Sequence, residues 1–232
     1  MPDEIVVTAN RPYVDYTPVY GDPYWVQSAG TTGQSVYLQE IAIETAHYGA
    51  PANIKYSGTN QVMIKTVVPK FQAESSNISQ RLNGIAATEF ALSNGSKIPF
   101  TEIMDIFHHM DFNFTEGVAY PDNNYGGQTY YDSSVGRYVS DMDATATAAG
   151  YAAQGQVGVD YIMLHEVAHN TTAAMDFQQQ EYTSYLNANG QNPAGWSNST
   201  QFDSVEKFAN DIAKAIETTL QLPTDAAPPH GY

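Results

Sequence analysis

Cysteine is absent from the 232 residues. That excludes disulfides, thiolate metal sites and cysteine nucleophiles together, so any metal must be held by His, Asp, Glu or backbone oxygen. Basic residues are scarce: 9 Lys+Arg stand against 25 Asp+Glu, a formal net charge of -16. Such a surface repels phosphate backbones and anionic lipid, which argues against nucleic acid as a partner. No apolar run approaches the ~20 residues needed to cross a bilayer, and no basic, apolar N-terminal segment of signal-peptide type stands out. Membrane insertion is not expected. Low Lys, no Cys and many Tyr, Asn, Gln, Ser and Thr resemble secreted bacterial proteins. The expectation is a secreted or extracellular protein without a recognisable signal peptide, with a cytoplasmic location as the alternative.

What is present is a hydrophobic fraction of 42%, enough for a large core and too much for a disordered chain. Residues 1–33, rich in Pro, Gly and Tyr, read as an extended N-terminal arm. Within it Glu4-Ile5-Val6-Val7-Thr8-Ala9 predicts one short strand. These six residues resemble the TonB box, a strand that adds to a partner's sheet; pairing with the domain's own sheet is the simpler reading. Residues 34–222 form the expected main domain, and 223–232 a loose C-terminal tail. Ser35–His47 has near-helical apolar spacing and ends at Gly49 and Pro51. Ile54–Val68 alternates and is β-branched around Ser57-Gly58-Thr59-Asn60, which predicts a hairpin. A helix is predicted over Ile78–Leu92, stopped by Asn94-Gly95, and a shorter one within Pro99–Phe112. From Asn113 to Met142, loops and short strands are expected. A last amphipathic helix is predicted from Asp203 to Leu220.

The segment Tyr161–Asn170 reads Y-I-M-L-H-E-V-A-H-N. Its His165-Glu166-Val167-Ala168-His169 has the H-E-x-x-H pattern. On a helix, positions i and i+4 share a face, so both imidazoles can point at one ion. Glu166 then lies beside the first ligand, placed to act as general base on a metal-bound water without ligating the metal. Tyr161, Ile162, Met163, Leu164, Val167 and Ala168 make the helix almost wholly apolar, so it should be buried. Two His and a Glu in such a helix need partners, and a metal would satisfy them together. The competing reading is a pair of ordinary core histidines.

A catalytic zinc usually has three protein ligands and one open position. The metzincin continuation would put Gly at 172 and His or Asp at 175, where this chain has Thr172 and Met175. Asp176 is one residue late. A better candidate is Glu206 in the last helix, with Asn210 one turn beyond it on the same face. Tyr161 to Ala213 thus resembles the gluzincin peptidases, in which a ligand Glu on a later helix follows H-E-x-x-H. The resemblance implies His165, His169 and Glu206 as zinc ligands, Glu166 as general base and Asn210 as a residue that holds a ligand in place. Asp176 and Glu181 remain alternatives for the third ligand.

The resemblance also implies an α+β, zincin-like fold: a small twisted sheet on the buried active-site helix, with a mainly helical C-terminal part. The implied function is a metalloendopeptidase that hydrolyses a protein or peptide substrate by metal-activated water. One gluzincin subgroup places an oxyanion-stabilising Tyr seven residues before the ligand Glu, but here that position is Ser199. Tyr130, Tyr131, Tyr182 and Tyr185 are unranked candidates for the role. The stretch Tyr125–Ser134 could supply an edge strand that aligns a peptide. His108-His109 reads as surface or core, and Asp141, Asp143 and Asp122-Asn123-Asn124 as solvated turns rather than calcium loops. Two other functions stay open: a secreted or phage-associated binding module keeping a metal site without turnover, and a toxin-like effector peptidase with one protein target. Cleavage specificity, oligomeric state and export route are not legible.

Overall fold

A computed structural model describes residues 51–85, 88–117, 127–148, 158–192 and 194–222. The N-terminal arm with its Glu4–Ala9 strand, the Ser35–His47 helix, Asp122–Asn124 and the tail lie outside the described residues, as does the boundary expected at 33/34.

Six strands and five main helices are described. In chain order they are β1 (Asn53–Ser57), a π-helical turn (Met63–Val67) running into α1 (Val68–Gly84), β2 (Glu89–Ala91), β3 (Lys97–Pro99), α2 (Phe100–His108), β4 (Met110–Thr115), β5 (Gly127–Asp132) and β6 (Arg137–Asp143). A short helical stretch over 144–148 follows, then α3 (Val159–His169), α4 (Thr172–Ala188), a 3-10 turn (Trp196–Asn198) and α5 (Thr200–Leu220). The class is α+β.

The main sheet has the order β1-β4-β6-β5; β1, β4 and β6 are parallel, and β5 is an antiparallel edge strand. Period-two alternation divides its faces. Ile54, Tyr56, Met110, Phe112, Phe114 and Met142 take one face, and Phe71 of α1 packs edge-on against Phe114 at 4.9 Å and beside Phe112 at 6.4 Å. The opposite face is polar. There the buried Asp111 carboxylate accepts from Asn53 Nδ2 (2.8 Å), Lys55 Nζ and Arg137 Nε (2.7 Å), tying three strands together. Burial works against the charge of Asp111, but Lys55, Asn53 and Arg137 outweigh it and hold its carboxyl below the usual range. Among the described residues, α1 packs on the first of these faces.

The Ile54–Val68 hairpin is not formed. β1 ends at Ser57, and the chain turns into helix because Asn60 Oδ1 accepts from Val62 N (2.9 Å), an Asx cap. Glu116 fixes the same turn by accepting from the N–H groups of Thr59 (3.0 Å) and Asn60 (2.7 Å). Met63, Val67 and Phe71 then recur at a four-residue spacing and are fully buried, whereas the alternating Val62 and Ile64 are exposed. Helical packing overrides β-branching here. The helix expected at Ile78–Leu92 begins ten residues earlier, at Val68, and stops at Gly84. Phe90 and Ala91 belong to β2, and Asn94-Gly95 is the turn of the β2–β3 hairpin, with Gly95 at φ 85°. The short helix within Pro99–Phe112 is α2, and its last residues are the start of β4.

α3 lies in the interior, with Val159–Leu164 and Val167–Ala168 buried apart from a half-exposed Ile162. Gly158 starts it in the left-handed region at φ 89°, a conformation that disfavours a β-carbon. α5 is capped at its N-terminus by Ser199, whose Oγ accepts from Phe202 N at 3.1 Å. Val205, Ala209, Ile212, Ala213, Ile216 and Leu220 form its buried stripe. Small residues on that stripe let α5 approach α3 closely.

Candidate metal centre

His165 and His169 project from one face of α3, and their Nε2 atoms lie 3.0 Å apart. Glu206 reaches them from α5, with Oε2 3.2 Å from His165 Nε2 and Oε1 3.5 Å from His169 Nε2. One donor atom from each of the three falls within 4.8 Å of the others. Zinc–ligand bonds of about 2.0–2.1 Å at tetrahedral angles separate two donors by roughly 3.3 Å. The 3.0 Å and 3.2 Å spacings lie near that value, and the 3.5 Å spacing to His169 is made by the other carboxylate oxygen, so the chemistry and approximate size of the donor set suit a divalent ion. Among the described residues no other cluster of three His, Asp or Glu side chains has such geometry.

The surroundings are uneven. His165 is buried, while the side chains of His169 and Glu206 are 13% and 24% exposed, so the triad faces solvent on one side. Glu166, one residue after the first imidazole, is buried and contributes no donor to the triad. Its charge nonetheless acts on His169. Burial disfavours the imidazolium of His169, but Glu206 beside it, and then Glu166, raise its pKa overall. Burial likewise opposes the Glu206 carboxylate, and the two imidazoles overcome this and hold its pKa far below the ordinary carboxylate range.

These shifts contribute to the pH response of the metal-free protein, alongside the His109–Asp105 pair, which also raises a histidine. The raised His169 contributes stability that is complete below its unfolded value near 6.5 and is lost as pH climbs through the higher folded value. The depressed Glu206 contributes stability that is present above about 4.5 and lost only in strong acid. The chelated protein should therefore lose melting temperature from pH 6 to pH 8.5, and Glu206→Gln should flatten that slope. Zinc needs neutral imidazole, so its stabilising effect should grow over the same interval. Equal slopes in wild type and variant would contradict the pairing.

Asp176, an alternative third ligand, is exposed on α4, and Glu181 on the same helix is also outside the triad. Glu206 is the residue that the fold brings to the two imidazoles. Asn210 does not touch a ligand directly. Its Oδ1 accepts a hydrogen bond from Tyr161 OH, and the Tyr161 ring lies nearly parallel to that of His165, with centroids 6.2 Å apart at 21°. Burial, then the charges of Glu217, Glu206 and Asp211, push the Tyr161 phenol up to about 12, so it stays a donor. In the sequence Tyr161 is legible only as part of the apolar face of the helix. Its position four residues before His165 was the available signal.

The four unranked tyrosines are engaged elsewhere. Tyr182 and Tyr185 pack edge-on against Trp196 in a second apolar cluster, and Tyr185 OH donates to Ala194 O. Tyr130 OH donates to Asp141 Oδ2 at 2.9 Å, and Tyr131 packs on Tyr138. His108 is buried beside Phe107, and His109 pairs with Asp105 at 2.9 Å. Asp143 caps the 144–148 stretch by accepting from Ala146 N, and Asp141 accepts from Asn113 Nδ2.

Asn170, the C-cap of α3, was also missed. Its Nδ2 donates to Glu166 O (2.9 Å) and to Thr129 Oγ1 of β5 (2.7 Å), tying the edge strand to the helix of the triad. No described helix is long and apolar enough to cross a membrane. No protein-family model, curated protein or solved structure matches this chain significantly.

Proposed function

We propose that this chain is a zinc-dependent peptidase of the zincin type, with His165, His169 and Glu206 holding the ion and Glu166 acting as general base. The observation that carries the reading is the convergence of three side chains from two helices, each offering a donor atom within 4.8 Å of the others. When bound, zinc supplies a Lewis acid that acidifies a water and polarises a carbonyl.

The chain's own residues then divide the work. The Glu166 carboxylate takes a proton from the attacking water as a C–O bond forms at the peptide carbonyl. It returns that proton to the amide nitrogen as the C–N bond breaks. No covalent enzyme intermediate is needed. The edge strand β5 is where an extended substrate adds to the sheet, and Asn170 keeps that strand in register with α3 through Thr129. A mixed sheet beside a buried helix, with a later helix delivering the third donor, agrees with the zincin plan. The substrate class is protein or peptide, and a secreted or extracellular setting suits the cysteine-free, acidic composition.

Unfolded polypeptides incubated with the zinc-loaded protein should yield new N-termini. Chelator should stop cleavage, and added zinc should restore it. A panel of such substrates left intact by metal-loaded protein would overturn the peptidase reading while leaving the metal site standing.

A further inference from the structure

We propose that Tyr161 is a positioning residue for the metal site, holding the His165 ring in its ligating orientation through a link to Asn210. The inference rests on the metal-site reading above.

Its basis is a repeat of one helical turn on both helices. Tyr161 precedes His165 by four residues on α3, and Glu206 precedes Asn210 by four on α5. Tyr161 OH meets Asn210 Oδ1, and His165 Nε2 meets Glu206 Oε2 at 3.2 Å. The helices are therefore antiparallel at this point, and the two contacts are successive rungs between them. The rung without ligands fixes the spacing and rotation of the rung that has them.

A second observation gives the ring its need for such support. His165 Nδ1 is buried and has no hydrogen-bond partner among the described residues. Metal-binding imidazoles ordinarily donate from the remote nitrogen to a carboxylate or carbonyl, which sets their rotation and tautomer. At His165 the nearly parallel face of Tyr161 takes that part by packing. The tyrosine ring is itself held at its far end by Asn210, so it presents a fixed face to the imidazole. His169 stands edge-on to His165 at 4.6 Å on the other side. The first imidazole is thus confined between two rings.

The test compares zinc affinity, by competition with a chromophoric chelator, in the full chain and in Tyr161→Phe, Tyr161→Leu and Asn210→Ala. Tyr161→Phe keeps the ring and removes only the link; Tyr161→Leu removes the ring. Loss of an outer partner weakens metal binding by about 10–100-fold. We expect about tenfold for Tyr161→Phe, more for Tyr161→Leu, and a shifted visible spectrum of the cobalt-substituted site in both. The double variant Tyr161→Phe/Asn210→Ala should be little worse than either single one, because both remove the same link. Wild-type affinity and an unchanged cobalt spectrum in Tyr161→Phe would overturn the proposal, as would full additivity in the double variant. A wild-type chain that binds no zinc would instead remove the underlying site, so the two failures are distinct.

Discussion

Glu166→Gln is expected to bind zinc as the wild type does and to lose about three orders of magnitude or more of peptidase activity. The substitution keeps the size of the side chain and removes its basicity. Glu166 offers no donor to the triad, so ion binding should not depend on it. Glu166 is buried, and its charge acts on His169. The loss should fall on kcat, because proton transfer belongs to the transition state. Activity equal to wild type would remove Glu166 from the mechanism. Loss of zinc in the same variant would make it part of the metal's support instead.

The second large effect is expected at Glu206. Glu206→Ala removes one of three donors and the carboxylate that meets both imidazoles, whose Nε2 atoms lie 3.0 Å apart. An outer partner contributes about 10–100-fold to affinity, and a direct ligand should exceed that, at roughly 10³-fold. Zinc competition against a chelator measures it. Asp176→Ala and Glu181→Ala provide the comparison, and both should bind as wild type does. If either of them lost zinc while Glu206→Ala kept it, the third ligand would be misassigned.

The centre of the site was legible in the sequence for a local reason. Two histidines four apart on an apolar helix must share a face, whatever the rest of the fold does. Glu206 was legible more weakly, because its helix was clear from the stripe at Val205, Ala209, Ile212 and Ala213, but its approach to α3 is a matter of tertiary packing. The roles of Tyr161 and Asn170 were not legible. Each acts across elements far apart in sequence: Tyr161 on Asn210, and Asn170 on Thr129. Asn210 is placed beside a ligand by its spacing from Glu206 and by the gluzincin resemblance. It reaches the site through a phenol that the pattern had assigned to the core.

The errors in the fold have the same origin. Ile54–Val68 satisfies both an alternating pattern and a four-residue one, since Met63 and Val67 recur along it at the spacing that Phe71 continues. Asn60 and Glu116 decide between them, and Glu116 lies more than fifty residues away. Asn94-Gly95 suits a helix stop and a hairpin turn equally, and the structure uses it as the turn. The chain had already left the helix at Gly84. Ser199, at the position where one gluzincin subgroup has a tyrosine, caps α5 and so helps to place Glu206 two turns later.

Zinc content tests the central claim most directly. The purified full chain, stripped with chelator and titrated with zinc, should take up one equivalent with release of protons, and His165→Ala/His169→Ala should take up none. A wild-type chain that binds no divalent ion, or a double variant that binds zinc as tightly as wild type, would contradict the account.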